Sequence, residues 1–185
     1  MDNYKILIEQ CRLSDRKAQM QFYKLFYKPV FNSCYRILCD SNEAEEVMQE
    51  IFLKVLMNTS LLNEDKVQME RFLKRMAINR AIDICRKRKP VFVPLEEVRH
   101  DYTEDDEVDT DLFHNLEIEA VREAIQELPD GYRLVLTLHL IEGMSYDDIS
   151  SEIQVSASGV RSQYARARKK LIEKLRSCFE LLTVK

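Results

Sequence analysis

The sequence predicts an all-α protein built as two small helical domains joined by a flexible acidic linker, the C-terminal domain carrying a helix-turn-helix. Three observations carry this prediction. Three glycines and four prolines in 185 residues are too few for the turns of a sheet-rich fold. Apolar residues recur with a period near 3.6 along both halves of the chain. The formal net charge of −4 also conceals three blocks: residues 1–90 carry 17 Lys/Arg against 12 Asp/Glu, residues 91–119 one against 11, and residues 120–185 ten against nine. The domains are expected at 1–90 and 118–185, with the linker at 91–117.

Taken in order, the first helical pattern runs from Lys17 to Leu38. Phe22, Tyr23, Phe26, Val30, Phe31, Cys34, Tyr35 and Leu38 keep the helical period, and Pro29 is expected to kink or break it. Asp40, Ser41 and Asn42 form a turn and cap. The helix that follows has a buried stripe of Val47, Ile51 and Val55, with acids in its first turn as the helix dipole favours. A polar stretch over 58–65 is interrupted by Leu61 and Leu62. Next comes ERFLKRMAINRAIDICRKRKP, in which Phe72, Met76 or Ala77, Ile78, Ala81, Ile82 and Cys85 are expected to pack. Its other side is basic, with eight Lys/Arg against one acid between Arg71 and Lys89. Pro90 and Pro94 end that helix, and residues 96–111 (EEVRHDYTEDDEVDTD) hold too little apolar surface to offset their ordering entropy.

The stretch from Leu128 to Leu175 reads as the helix-turn-helix. Leu134, Val135, Leu138 and Ile141 share one face, and Gly143 terminates that helix. Ser145 and Asp148 have capping-box spacing ahead of a helix whose inner stripe is Tyr146, Ile149 and Ile153. Val155 and Ser156 make the turn, with Ser156 as the next cap. Val160, Tyr164, Ala167 and Leu171 face inward on the last helix, while Ser158, Arg161, Ser162, Ala165, Arg166 and Lys169 share the opposite face. Between Ala157 and Arg176 there are seven Lys/Arg against one acid. A merely solvated helix usually interleaves acids for i,i+4 pairing, so this basic face points to phosphates and base edges in a DNA major groove.

Other chemistries find little support. The five cysteines (11, 34, 39, 85, 178) lack CxxC spacing and are expected as free, mostly buried thiols. The three histidines are dispersed, and no phosphate loop or acid–base constellation appears, which predicts a non-enzyme without cofactor or metal. No run suits a signal peptide or a membrane span, so a cytoplasmic protein with no membrane insertion is expected.

Three strings in order carry a family resemblance. SNEAEEVMQEIFLKV, FLKRMAINRAIDICRKRK and the series Leu128-Pro129, Glu142-Gly143, Ser145-Tyr146, Ile149, Val160, Ser162, Arg166-Ala167 resemble a sigma factor of bacterial RNA polymerase, of the extracytoplasmic-function (ECF) group. The resemblance covers about residues 10–90 and 118–176. It implies partners in core polymerase (the β′ clamp helices and the β flap), promoter DNA and an anti-sigma factor. It further implies polymerase contact through Glu46, Gln49 and Glu50. Asn79 would lie near a flipped base of the −10 element, with Leu61, Leu62 and Asn63 in the loop that pockets it. Arg75, Arg80, Arg86, Lys87 and Arg88 would bind phosphates of the opened strands. Ser158, Arg161, Ser162, Ala165, Arg166 and Lys169 would read the −35 element, with His139 as a further contact.

Phe72 stands where the family commonly has Trp, Lys74 where it often has an aromatic, and Gln154 where it has a turn glycine. Gly159 replaces a common Thr inside the recognition helix, for which close approach to DNA is the expected reason. Two other readings of the residues stay open: a conventional helix-turn-helix regulator acting without polymerase, and an all-helical protein-interaction module.

Overall fold

The computed structural model describes residues 3–88 and 118–183, with side chains over 3–88 and 120–177. The described residues fall into two compact units, the first ending at Arg88, and all their regular structure is helical. The linker expected at 91–117 lies outside the described residues.

The first unit consists of α1 (Asn3–Arg12), α2 (Arg16–Leu38), α3 (Ser41–Met57) and α4 (Lys66–Arg88), with a 3₁₀ turn at Thr59–Leu61. Sequence periodicity did not reveal α1, whose buried face is only Tyr4, Ile8 and Cys11. Asp15 caps α2 by accepting from the Ala18 amide at 2.8 Å, and Cys39 ends it in the left-handed conformation, φ 56°. Phe22, Phe26, Val30, Cys34 and Leu38 are buried as expected, while Tyr23, Phe31 and Tyr35 are half-buried beside them.

Pro29 does not break α2, so the break, one of the two outcomes expected of it, does not occur. A proline in a helix interior removes one hydrogen bond and costs about 3 kcal/mol. Phe26 and Val30 on either side are fully buried, and Phe22 packs edge-on to Phe26 and Phe52 at centroid distances of 5.0 and 6.1 Å. Burial of several such side chains, each contributing about 1.5–3 kcal/mol, outweighs the lost rung.

Asp40 caps α3 by accepting from the amides of Asn42 and Glu43. Val47, Ile51 and Val55 are buried as expected, joined by Ala44, Met48 and Phe52. On α4 one assignment changes: Phe72 is 37% exposed, and Leu73 takes the core position in line with Met69 and Ala77. Cys11, Cys34 and Cys85 are buried and Cys39 is half-buried.

The second unit consists of α5 (Ile118–Gln126), α6 (Asp130–Leu136) continuing as a π-helical turn over Thr137–Ile141, α7 (Tyr146–Ile153) and α8 (Ala157–Thr183). In the π turn the Glu142 amide donates to the Thr137 carbonyl at 3.0 Å, one residue farther along than an α-helical rung. Leu134, Val135 and Leu138 are buried as expected, but the extra residue rotates the chain and Ile141 is 42% exposed instead. Gly143, φ +70°, then ends the element.

Arg133 is 4% exposed and closes the α5–α6 turn. It donates to the carbonyls of Gln126 and Leu128 at 3.1 and 2.8 Å and pairs with Asp130 at 2.6 Å. The Ser145–Asp148 capping box forms as expected, and Gln154 holds a left-handed turn position, φ 57°. Val160, Ala167 and Leu171 of α8 are buried and Tyr164 half-buried. Ala167, Leu171 and Leu175 cluster with Ala124, Leu128 and Leu136. Among the described residues no helix is long and apolar enough to cross a membrane.

Candidate nucleic-acid interface

The outer face of α8 begins at its cap, where Ser156 Oγ accepts from the Gly159 amide at 3.1 Å. Ser158, Arg161 and Lys169 are exposed, and Ser162, Ala165 and Arg166 are half-exposed on the same face. The Arg161 guanidinium lies over the Tyr146 ring, 5.8 Å from its centroid. His139 stacks on that ring at 4.3 Å, meets Tyr164 edge-on at 4.8 Å, and has its Nδ1 2.8 Å from the Met144 carbonyl oxygen. His139, expected as a further DNA contact, is half-buried in an aromatic cluster with Tyr146 and Tyr164, and it shares the Tyr146 ring with Arg161.

Gly159 also has a different explanation from the expected one. A Cβ there would stand 2.9 Å from Val155 Cγ1 and 3.1 Å from Ser156 Oγ, so the cap itself accounts for the glycine without invoking DNA. Alanine normally gains about 0.8–1.0 kcal/mol over glycine in a helix. Here Val155 is β-branched and stiff, and the cap it would disturb is worth about 1 kcal/mol. Gly159→Ala is therefore expected to lower the melting temperature by a few degrees in calorimetry rather than raise it; a clear rise would show that Val155 yields freely.

On the first unit, Glu46, Gln49 and Glu50 are all exposed on α3. The same face continues into Leu53 and Met57, which are 62% and 77% exposed. Neither was among the expected contact residues, although their i+3 and i+7 spacing from Glu50 marks them as part of one surface. Gln49 donates to Glu45 at 3.1 Å, and Glu50 pairs with Arg80 of α4 at 2.8 Å.

Intramolecular partners occupy much of the basic side of α4. Arg86 pairs with Asp83 at 3.3 Å. Arg88 pairs with Glu43 and donates to the Leu38 carbonyl, tying the end of α4 to α2 and α3. Arg75 and Lys87 are exposed. Asn79 is half-buried, and its Oδ1 has no hydrogen-bond partner among the described residues. Such an unmet acceptor costs about 1–3 kcal/mol. Phe72 and Arg75 lie two turns and one turn before Asn79 on the same side of the helix, so an exposed aromatic ring adjoins the cations, the pairing that single strands require. In the preceding loop Leu61 is half-buried and Asn63 exposed, but Leu62 is only 3% exposed and belongs to the core. Its side chain is therefore removed from the candidate base pocket.

Both units match known families. The family described as Sigma-70 region 2 matches residues 22–91, and that described as Sigma-70, region 4 matches residues 118–171. The paired regions define the protein class as a sigma factor of the sigma-70 family. An RNA polymerase sigma-H factor of Pseudomonas aeruginosa is 30% identical over 171 residues, 88% of each chain. The ECF RNA polymerase sigma factor SigW of Bacillus subtilis is 27% identical over 178 residues, 91% of this chain and 95% of that one. The chain belongs to the ECF group of sigma factors of RNA polymerase. A solved complex of the sigma factor RpoE with the anti-sigma factor NepR from Bartonella quintana shares the fold. Its TM-score is 0.51 at 19% identity, covering 85% of this chain and 96% of that one.

Proposed function

We propose that this sigma factor divides promoter recognition between its units, with boundaries at 1–90 and 118–185 and the acidic 91–117 as tether. In this reading α3 docks on the β′ clamp helices of core polymerase through Glu46, Gln49 and Glu50, with Leu53 and Met57 extending the contact. The face of α4 bearing Arg75, Asn79, Arg80, Arg86, Lys87 and Arg88, with Leu61 and Asn63 of the loop, holds the opened −10 strand. Ser158, Arg161, Ser162, Ala165, Arg166 and Lys169 read the −35 element, and the second unit also meets the β flap. The polymerase supplies the chemistry, so the chain is not itself an enzyme, and it acts in the cytoplasm. An anti-sigma factor, as in the RpoE complex, is the regulatory partner.

The observation that carries this reading is that each matched sigma region presents its own short basic helix face, α4 in one and α8 in the other. Neither face alone offers the phosphate contacts needed for tight duplex binding, and the acidic tether opposes it further. The purified chain is expected to co-purify with core polymerase and direct specific initiation, yet to bind free promoter duplex weakly. Tight sequence-specific binding to duplex without polymerase would favour the plain helix-turn-helix regulator instead.

Asn79→Ala is expected to slow open-complex formation without changing association with core polymerase, whereas Glu50→Lys weakens association. The Asn79→Ala defect should be largely rescued on a template already mismatched at the melted positions, where unpairing costs little. Equal losses of core binding in both variants would refute the division of labour.

A further inference from the structure

α1 precedes the matched segment of the first unit, yet three long-range hydrogen bonds join it to the loop between α3 and α4. Tyr4 Oη donates to the Asn63 carbonyl at 3.1 Å. Arg12 Nη2 donates to the Leu62 carbonyl at 3.2 Å, and Arg12 Nη1 to Glu64 Oε1 at 2.9 Å. The Tyr4 ring is 9% exposed and stands edge-on to Phe26 at 6.2 Å, so its hydroxyl is aimed from the rigid core. Burial pushes the phenol above its ordinary pKa, which keeps it a donor at any working pH.

The loop is gripped from the α4 side as well. The Asn63 amide meets Met69 Sδ at 3.3 Å, Asn63 Nδ2 donates to Gln68 Oε1 at 3.2 Å, and the Asp65 amide donates to Asn63 Oδ1 at 2.7 Å. Leu62 plugs the core between these attachments. The two adjacent carbonyls that α1 holds fix where the exposed Asn63 and half-buried Leu61 sit relative to α4. The exposed Arg12–Glu64 pair adds little energy of its own; the bonds to the backbone set the geometry.

We propose that Tyr4 and Arg12 are positioning residues for −10 recognition: by holding the Leu62 and Asn63 carbonyls, α1 sets the loop against α4 and thereby sets base preference without touching DNA. This rests on the reading above that Leu61 and Asn63 receive the flipped base.

The test is initiation by holoenzyme, assembled from core polymerase and the full chain, on a panel of −10 variants. Tyr4→Phe keeps the ring and removes the donor, and Arg12→Gln removes the guanidinium. Together they are expected to narrow the spread of rates across the panel by about threefold to tenfold, as loss of one or two net hydrogen bonds implies. The narrowing should fall at the positions where Asn63→Ala also narrows it, with core affinity and the ranking of −35 variants unchanged. It should persist on a template mismatched at the melted positions, because base reading rather than strand separation is altered. A uniform fall across the −10 panel would overturn the proposal, since α1 would then only stabilise the fold. If Leu61→Ala and Asn63→Ala flatten the ranking while the α1 variants do not, the positioning role alone is lost. If the loop variants leave the ranking intact, the reading of the loop fails and the positioning role falls with it.

Discussion

Arg133→Met is expected to lower the stability of the second unit by about 2–4 kcal/mol. Methionine preserves the buried stem but removes every donor, so the Gln126 and Leu128 carbonyls lose their bonds and Asp130 its ion pair. Asp130 is half exposed and finds water, so most of the loss falls on the two carbonyls. Gln126 ends α5 and Leu128 lies in the turn after it, and Ala124 and Leu128 both belong to the cluster seating α8. Hydrogen exchange on the full chain checks this: the most protected amides of α6 and α8 should exchange roughly 30- to 900-fold faster, the equivalent of that energy. The amides of the first unit serve as internal reference and should not change. Unaltered exchange in α6 would mean that Arg133 is dispensable to the fold.

Arg161→Ala is expected to cost about 1–3 kcal/mol in −35 recognition and to relax preference at one or two positions of the element. Arg161 is exposed two turns or fewer from the Ser156 cap, the end of a recognition helix that enters the groove. Its place over Tyr146, itself stacked on His139, restricts the guanidinium before DNA arrives, and an arginine so held suits bidentate contact with guanine. Lys170 supplies the contrast, because its ammonium lies 5.7 Å from the Tyr132 centroid near α6. Lys170→Ala should weaken binding modestly and equally for all sequences, lowering the salt slope by about one unit. Transcription from a panel of −35 variants at two salt concentrations separates the two. An unchanged ranking with Arg161→Ala would remove its assignment.

Much of the fold was legible because its signals are local. The Ser145–Asp148 box, the Ser156 cap and the stripe through Val160, Ala167 and Leu171 depend on spacing alone. The errors arose where a nonlocal or irregular feature overrode spacing. Phe72 and Leu73 are adjacent and both apolar, so only the packing of α4 decides which one faces the core. Ile141 is misplaced by a 3.6-residue period because the π turn inserts an extra residue before it. Pro29 carries a breaking signal that the aromatic core overrides. α1 was missed since three buried positions are too few to show a period. In the candidate site, the outer face of α8 was readable as a basic stripe. Charge counting could not show that Arg80, Arg86 and Arg88 already hold carboxylates, that Leu62 is a core residue, or that His139 and Arg161 share the Tyr146 ring.

The way α8 is seated bears on the thermodynamics of duplex binding. Its 27 residues extend about 40 Å, and Val160, Ala167, Leu171 and Leu175 anchor it over four turns before any ligand arrives. Folding has therefore already met the conformational entropy of this helix, and a duplex meets a finished surface. Binding to it should lack the large negative heat-capacity change of coupled folding and association. Because little rearrangement precedes contact, differences among target sequences should appear mainly in the lifetime of the complex rather than in the speed of encounter.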